Sequence, residues 1–296
     1  MKNILLITTI LFAISCDKIT EPYEPVSVTD TLACPEPTFP VNTNIKKNIL
    51  IEDFTGHTCN NCPAAAYIID TIKHNRGSQI VAIAMHVGNF AEPKPGPKYT
   101  TDFRTTEGTQ LKQDLLPGAG LPSLMVNRNQ TLVTPNSFRV FYLSLPPIIN
   151  TIINDVPEVN MQIIASFDPV KRTLCAYVET EALVNLSEDY SLVVALTEDS
   201  LIDWQLYNGN GGDPVYGTSS GDIEKYKHAH VLRTNLNGTY GKTIITGSAT
   251  AGDKIINGYS LKNVTTDWDD NHFSVVAYLY KNSTKEVVQV TEIHVD

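Results

Sequence analysis

Two cysteines separated by two residues, Cys59 and Cys62, are the part of the sequence best suited to chemistry. A CxxC pair at the turn between a strand and a helix is typical of a dithiol that is reversibly oxidised to a disulfide. Unpaired helix N–H groups and the positive end of the helix dipole would favour the thiolate of Cys59. Because the thiolate is the species that attacks disulfides, the pattern predicts thiol–disulfide exchange.

Two other interpretations of the pair stay open, namely a permanent structural disulfide and metal binding. His57 lies two residues before Cys59 and could tune the thiolate or add a third metal ligand to the two sulfurs. A trio of this kind supplies one ligand too few for a closed zinc site, so we expect His57 to be an exposed loop residue. We predict no metal site. No nucleotide, flavin or haem motif is evident, so no cofactor is expected and the cysteines themselves would be the redox couple.

The elements around the pair follow from the apolar pattern. Residues 47–54 and 79–87 have the composition of buried strands, and residues 59–74 have that of a helix, which predicts a parallel strand–helix–strand unit. Pro122 follows Gly120-Leu121 in a turn that leads into another strand. Residues 135–156 look helical in part, with an interruption expected at Pro146-Pro147.

From about residue 157 the pattern changes to short runs rich in Val, Ile, Tyr and Thr. These runs predict an antiparallel, immunoglobulin-like β-sandwich that ends in a hairpin. His228 and His230 would lie on one face of one of these strands, where they could bind metal, although outward-facing polar residues are the expected interpretation. The predicted strands cover residues 159–167, 173–180, 190–197, 226–232, 273–280 and 287–295.

The N-terminus has the features of a secreted lipoprotein. A short apolar run at 4–14 ends at Ser15-Cys16, which resembles the site where a bacterial lipoprotein signal is cut and the cysteine is acylated. An ordinary cleaved signal is the alternative. Residues 16–46 contain several prolines and no sustained apolar period, so they are predicted to form a tether.

Charge and the remaining cysteines limit the partners. The net charge of −10 argues against nucleic acid and anionic lipid as partners. Cys34 and Cys175 could pair across the chain in an oxidising compartment. The sequence does not give the distance between them, so two unpaired thiols are the favoured expectation.

Residues 47–156 resemble a thioredoxin-like domain, on the basis of three separated features. Cys59 and Cys62 match the active-site dithiol, Asp53 matches a buried carboxylate six residues earlier, and Pro122 matches a cis-proline loop. The resemblance implies that Cys59 is the nucleophile, Cys62 the resolving thiol, Asp53 the proton acceptor of Cys62, and Pro122 a wall of the substrate groove. The strand at 79–87 carries no lysine to pair with Asp53, so strong desolvation of that carboxyl is expected.

The whole chain is similar to the outer-membrane-protein-twenty-eight-related lipoproteins of Gram-negative bacteria. The similarity rests on residues 56–63, 122–128, 226–233 and 237–241, placed behind a lipoprotein signal. It implies attachment to the cell envelope, most simply at the outer membrane. The domains are predicted at 1–15 (signal), 16–46 (acylated cysteine and tether), 47–156 (thioredoxin-like) and 157–296 (sandwich).

Two functions are consistent with these features. In the first, a lipid-anchored oxidoreductase exchanges disulfides with envelope or surface proteins, and the sandwich positions these clients. In the second, an adhesion or assembly lipoprotein keeps the thioredoxin-like domain as a non-catalytic scaffold. Reactivity of Cys59 and Cys62 separates the two.

Overall fold

The computed structural model describes residues 34–44, 46–133, 136–209 and 220–295. Within these ranges the chain forms three α-helices and thirteen strands. The helices are α1 (Cys62–Arg76), α2 (Thr106–Leu115) and α3 (Leu145–Ile152). The strands are β1 (Ile49–Thr55), β2 (Ile80–His86), β3 (Ser123–Val126), β4 (Val159–Asp168), β5 (Thr173–Ala182), β6 (Tyr190–Glu198), β7 (Leu201–Tyr207), β8 (Gly221–His228), β9 (Val231–Asn235), β10 (Lys242–Ile245), β11 (Lys254–Leu261), β12 (Phe273–Lys281) and β13 (Val287–His294).

The first half is built on the predicted strand–helix–strand unit. β1 and β2 pair in parallel, from Ile49 opposite Ile80 to Thr55 opposite His86, and α1 connects them. β3 pairs with β1 in the antiparallel sense. None of the helices in the described ranges is both long and apolar enough to cross a bilayer.

Both faces of β1 are buried, and they face different cores. Successive side chains of a strand point to opposite sides, so Ile49 and Ile51 pack on one face with residues of α1 and α3. Leu50 and Phe54 pack on the other face, against β6, β12 and β13. Every residue of β1 is buried as a result.

One mixed sheet joins both halves of the chain. Its strand order is β13-β12-β6-β9-β2-β1-β3, with β10 paired to β6. The junction between β2 and β9 is a single parallel residue pair, Ala84 and Val231, beside which the Ala84 N–H donates to the carbonyl of His230 at 2.8 Å. The sheet therefore runs across the predicted domain boundary at residue 156, which stays a prediction.

A second sheet covers part of the first. Its three antiparallel strands have the order β11-β5-β4. Side chains of these strands, such as Val159, Leu174 and Tyr259, form a core with side chains of β6 and β12, including Leu196 and Val275. The chain is thus mostly β with few helices, and the predicted terminal hairpin is present as β12 and β13.

Two local expectations were wrong. Residues 226–232 do not form one strand, because His230 adopts a left-handed backbone conformation (φ 55°) that separates β8 from β9. His228 and His230 therefore do not share a strand face. Pro146 and Pro147 do not interrupt a helix either: they lie in the first turn of α3, where a missing N–H costs no helical hydrogen bond.

The first described residues are fastened to the second sheet. Cys34 and Cys175 form a disulfide with their Cα atoms 5.6 Å apart, so the expectation of two unpaired thiols was wrong. Asn42 Nδ2 donates to the Met161 carbonyl at 3.1 Å, which holds the following residues against β4. Part of the predicted tether is therefore bound to the folded body, whereas Cys16 lies outside the described residues.

Candidate redox site

Cys59 and Cys62 form a disulfide at the start of α1. Their Cα atoms are 5.4 Å apart, and the two residues are 3% and 2% exposed. The loop that carries them turns tightly, because the Cys59 N–H donates to the Gly56 carbonyl and the Cys62 N–H donates to the Cys59 carbonyl. Cys62 is the first helical residue and Pro63 follows it, which suits a helix start.

Gly56 allows this loop to pack closely against a neighbouring segment. A Cβ at this position would lie 2.6 Å from the carbonyl atoms of Phe90, closer than any side chain tolerates. The same carbonyl of Phe90 accepts hydrogen bonds from the N–H and the hydroxyl of Thr58, both at 2.9 Å. Glycine therefore lets residues 88–91 support the cysteine loop from outside.

Asp53 lies on the face of β1 that points towards α1. The residue is 4% exposed, and no donor in the described part of the chain reaches its Oδ1 atom. Burial, with a smaller contribution from the negative charge of Asp70, raises the pKa of Asp53 from 3.8 to about 7. The strong desolvation expected from the sequence is confirmed, and the carboxyl can both accept and release a proton near neutral pH.

Asp53 and Cys62 share a small cavity. Its volume is about 50 Å³, and its wall also carries Asp70 from α1 and His230 from the turn after β8. A cavity of this size can hold at least one water molecule. The disulfide, the buried carboxyl and groups from both halves of the chain are therefore brought together by the fold.

Two histidines on the cavity wall are kept neutral. His86, the last residue of β2, and His228, the last residue of β8, have ring centroids 5.3 Å apart. Burial, together with repulsion between nearby imidazoles, lowers the pKa of His86 well below its ordinary value. Burial is also the main cause that lowers the pKa of His228 to about 4. Neither ring carries a charge at neutral pH.

His230, unlike His86 and His228, is positively charged. Its Nδ1 lies 3.1 Å from Asp199 Oδ1 and its Nε2 lies 3.7 Å from Asp70 Oδ1. Burial disfavours the charged ring, but its interactions with Asp199 and Asp70 outweigh that cost and raise the pKa of His230 to about 9. His230 is therefore a cation beside the cavity, and a sequence separation of 160 residues from Asp70 gave no local signal of this contact.

His57 is buried, so the expectation of an exposed loop histidine was wrong. Its Nε2 lies 3.2 Å from the carbonyl of Glu92, and its ring packs against Tyr99 with centroids 5.3 Å apart. Burial is the main cause that lowers the pKa of this ring. His57 therefore stands beside the cysteine loop as a neutral group.

The hairpin of β7 and β8 lies along the cysteine loop. The Leu206 N–H donates to the His57 carbonyl at 2.8 Å, and the Asn208 N–H donates to the Asn60 carbonyl at 3.0 Å. Gln205, which is 2% exposed, donates from Nε2 to the Cys59 carbonyl at 3.0 Å. This cover explains the low exposure of the disulfide, and sequence reasoning missed it because β7 was not predicted.

The hairpin is held on its outer side as well. Lys98 Nζ lies 2.5 Å from Asp222 Oδ2 on β8 and 4.7 Å from the ring centroid of Trp204 on β7. The Tyr99 hydroxyl donates to the same carboxylate. Residues 98 and 99 thus connect the hairpin to the segment that also contacts His57.

The Leu121–Pro122 peptide bond is cis, as the sequence predicted. Pro122 immediately precedes β3, whose first residue, Ser123, is opposite Phe54 of β1. Since the cysteine loop leaves the same end of β1, Pro122 lies at that end of the sheet. Among the described residues, no group of three or more His, Cys, Asp and Glu side chains is arranged to hold a metal ion.

Comparison with known proteins relates the chain to one family. The family model described as outer membrane protein Omp28 matches residues 113–296, which is more than half of the chain. None of the curated proteins matches the sequence.

Three solved structures resemble this chain to different extents. HBP35 of Porphyromonas gingivalis superposes with a TM-score of 0.60 at 13% identity, over 86% of this chain and 77% of that one. Protein AGR_C_4864 from Agrobacterium tumefaciens gives a TM-score of 0.49 at 12% identity, over 83% and 93% of the two chains. A domain of the outer membrane lipoprotein Omp28 from P. gingivalis gives 0.31 at 17% identity, over 48% and 91%. The first of these establishes a shared fold.

Proposed function

We propose, from the premise that this chain belongs to the outer membrane protein Omp28 family, that it exchanges disulfides with envelope or surface proteins through Cys59 and Cys62. Its place is the outer membrane of the cell envelope, to which an acyl chain on Cys16 would attach it. Residues 47–156 would form a thioredoxin-like unit and residues 157–296 an immunoglobulin-like sandwich that positions the clients. The parallel β1–α1–β2 unit and the cis bond before Pro122 support the first of these assignments.

One observation carries the proposal: Cys62 and Asp53 line the same cavity, and among the described residues no donor reaches Asp53 Oδ1. A buried carboxyl without a partner lowers stability, so its presence beside a dithiol needs a reason. Proton transfer supplies one, because a group with a pKa of about 7 can take the thiol proton of Cys62 and give it up again.

The exchange reaction would proceed in two steps. The Cys59 thiolate attacks one sulfur of the client disulfide, forms a mixed disulfide and releases the first client thiolate. Asp53 then accepts the proton of Cys62, and the Cys62 thiolate attacks the Cys59 sulfur and releases the second client thiolate. The client gains two electrons and the protein keeps the Cys59–Cys62 disulfide; the reverse sequence oxidises a client dithiol.

The reduction potential of the Cys59–Cys62 pair tests this function. The full chain is equilibrated in glutathione buffers, and the thiols are trapped and assigned peptide by peptide by mass spectrometry, with Cys59→Ser as the control. We expect a reversible two-electron transition between about −120 and −270 mV, the range of known exchange proteins. The Cys34–Cys175 disulfide serves as an internal reference that should stay bonded. A Cys59–Cys62 pair that stays oxidised below about −300 mV would refute the redox function.

A second function is supported by the cover on the site. Cys59 is 3% exposed beneath the β7–β8 hairpin, which suits a closed, structural disulfide in an adhesion or assembly lipoprotein. In that case a Cys59→Ser, Cys62→Ser double variant would keep every activity of the protein in the envelope. Loss of that activity in a folded double variant would exclude the scaffold function.

A further inference from the structure

The cavity lined by Cys62 and Asp53 also carries an ion pair, Asp70 and His230, which the exchange mechanism has not used. Asp70 lies on α1, two helical turns after Cys62, and its side chain is 56% exposed. His230 lies in the turn between β8 and β9, with its side chain 14% exposed. Both line the same cavity as Asp53. The cavity is therefore lined by one buried carboxyl, Asp53, and by one carboxyl that reaches solvent, Asp70.

His230 is fixed in position by its backbone. Its N–H donates to Asp199 Oδ1 at 2.7 Å, and its carbonyl accepts the Ala84 N–H at 2.8 Å. The left-handed conformation at this residue turns the chain from β8 into β9. The imidazole is therefore presented to Asp70 by the junction between the two halves of the large sheet.

We propose that Asp70 and His230 form the proton outlet of Asp53, with Asp70 exchanging the proton with solvent and His230 setting the charge of that end of the cavity. This inference rests on the proposed redox function. Both are positioning residues, since they act on the protonation of Asp53 rather than on the sulfurs.

The electrostatic effects of the two residues on Asp53 have opposite signs. The carboxylate of Asp70 raises the pKa of Asp53, after burial itself. The cation at His230 lies 3.7 Å from the carboxylate of Asp70, so we expect it to offset that charge and to limit the rise. The charged and titratable groups that line the cavity together with Asp53 are Cys62, Asp70, His86, Tyr226, Lys227, His228 and His230. Those that face His230 are Asp70, Lys73 and Asp199.

This outlet gives the proton of the resolving step a way to leave Asp53. Asp53 receives one proton from Cys62 when the Cys62 thiolate attacks Cys59. Asp53 must lose that proton before the next cycle, and its own exposure of 4% gives it little contact with solvent. A cavity of about 50 Å³ has room for a water molecule that relays the proton to the exposed Asp70.

The resolving step can be followed with Ellman's reagent, an aromatic disulfide. The full chain, reduced at Cys59 and Cys62, releases one thionitrobenzoate when Cys59 attacks and a second when Cys62 closes the disulfide. Stopped-flow absorbance gives the rate of the second release as a function of pH, and mass spectrometry verifies that Cys34–Cys175 stays bonded. We expect the rate of the native protein to rise with a midpoint near pH 7, the pKa of Asp53.

The variants are expected to move this midpoint in opposite directions. Asp70→Asn should lower it, and His230→Gln should raise it, each by roughly half a pH unit or more. His230→Lys keeps a cation and should return the midpoint towards that of the native protein. Asp155→Asn, which removes an exposed carboxylate elsewhere, is the matched control and should leave the midpoint unchanged. If His230→Gln does not fold, a lowered midpoint for Asp70→Asn together with a native midpoint for His230→Lys supports the outlet, and any other combination overturns it.

A second measurement separates this inference from the redox function. In the oxidised chain, the infrared band of the protonated Asp53 carboxyl, assigned with Asp53→Asn, should titrate in the same order of midpoints. Equal midpoints, or shifts of one sign for Asp70→Asn and His230→Gln, would overturn the outlet even if the cysteines react. Absence of a second thionitrobenzoate release, with the infrared order intact, would refute the exchange function instead.

Discussion

Glu52 and Asp53 are neighbours on β1, both buried, and the fold treats them in opposite ways. Glu52 is 0% exposed and accepts two hydrogen bonds from Arg128, at 2.6 and 2.8 Å. Arg128 Nη2 also donates to the Tyr278 hydroxyl at 2.7 Å. Asp53 points to the other face of the sheet, where no donor of the described structure reaches its Oδ1. One carboxyl is fully paired and the other is left beside a cavity and a disulfide.

The contrast separates a structural charge from a chemical one. Burial alone would lower the pKa of Arg128, but the charge of Glu52 and the adjacent tyrosines raise it above its ordinary value, so the guanidinium stays charged. The arginine of this pair therefore keeps its charge at any working pH. Asp53 changes its charge near neutrality because burial raises its pKa and no donor in the described part of the chain reaches its Oδ1. Only a carboxyl of the second kind can move a proton during a reaction.

Removing the partner of Glu52 should have the largest effect on stability. Arg128→Met leaves Glu52 buried without a partner, and we expect a loss of about 3–5 kcal/mol in the free energy of unfolding. Urea denaturation followed by circular dichroism measures it. A Glu52→Leu, Arg128→Met double variant should recover most of the loss. A single variant as stable as the native protein would contradict the structural role of the pair.

Replacing the carboxyl of Asp53 should stabilise the protein by an amount that depends on pH. The pKa of Asp53 is about 7 in the folded chain against an ordinary value of 3.8, so the folded state holds this proton longer than the unfolded state. Stability of the native protein therefore falls from about pH 4 to pH 7 and then levels off.

Asp53→Asn removes this titration. Its advantage over the native protein should grow across the same window to at most about 4 kcal/mol at pH 8, and should vanish near pH 4. Urea unfolding at several pH values measures the difference. A constant difference between the two proteins at all pH values would show that Asp53 is not protonated in the folded chain.

The rate of disulfide closure sharpens the comparison further. Asp53→Asn should slow the second thionitrobenzoate release by roughly tenfold to a hundredfold at pH 7, because a positioned base is lost. Glu52→Gln changes the adjacent carboxyl in the same way and should leave the rate of the folded protein unchanged. Equal slowing in both variants would remove the distinction between the two carboxyls.

The smallest effect is expected at the cover of the site. Gln205→Ala removes the side-chain bond to the Cys59 carbonyl, which should raise the rate of disulfide reduction by dithiothreitol about threefold. Gln162→Ala, which removes a glutamine from β4 instead, is the control. An unchanged rate for Gln205→Ala would mean that reductants reach the sulfurs without displacement of the hairpin.

Local patterns predicted the parts of the site that are close in sequence. The order of β1, α1 and β2 and the place of the cysteine pair between β1 and α1 follow from short runs of residues, whereas the buried carboxyl at Asp53 and the cis bond at Pro122 were implied by the resemblance to a thioredoxin-like domain. The ion pair of Glu52 was not predicted, because its partner Arg128 lies 76 residues away and nothing local connects the two.

Contacts between the halves could not be predicted. His230 ends a strand through its own left-handed backbone, at a position with no glycine or asparagine to signal a turn. The β7–β8 hairpin acts on the cysteine loop through backbone hydrogen bonds, which any sequence can make. The Cys34–Cys175 bond depends on a distance in space. In each case the information lies in tertiary packing rather than in residue type.

The Cys34–Cys175 disulfide also sets how far the body can move from its proposed anchor. If the whole predicted tether, residues 16–46, were free, it would span about 100 Å when fully extended. With residue 34 bonded to β5, only residues 16–34 can separate the body from the anchor, and their maximum length is about 60 Å. A client would have to meet the protein within that radius of the membrane surface, and reduction of this one bond would widen the radius.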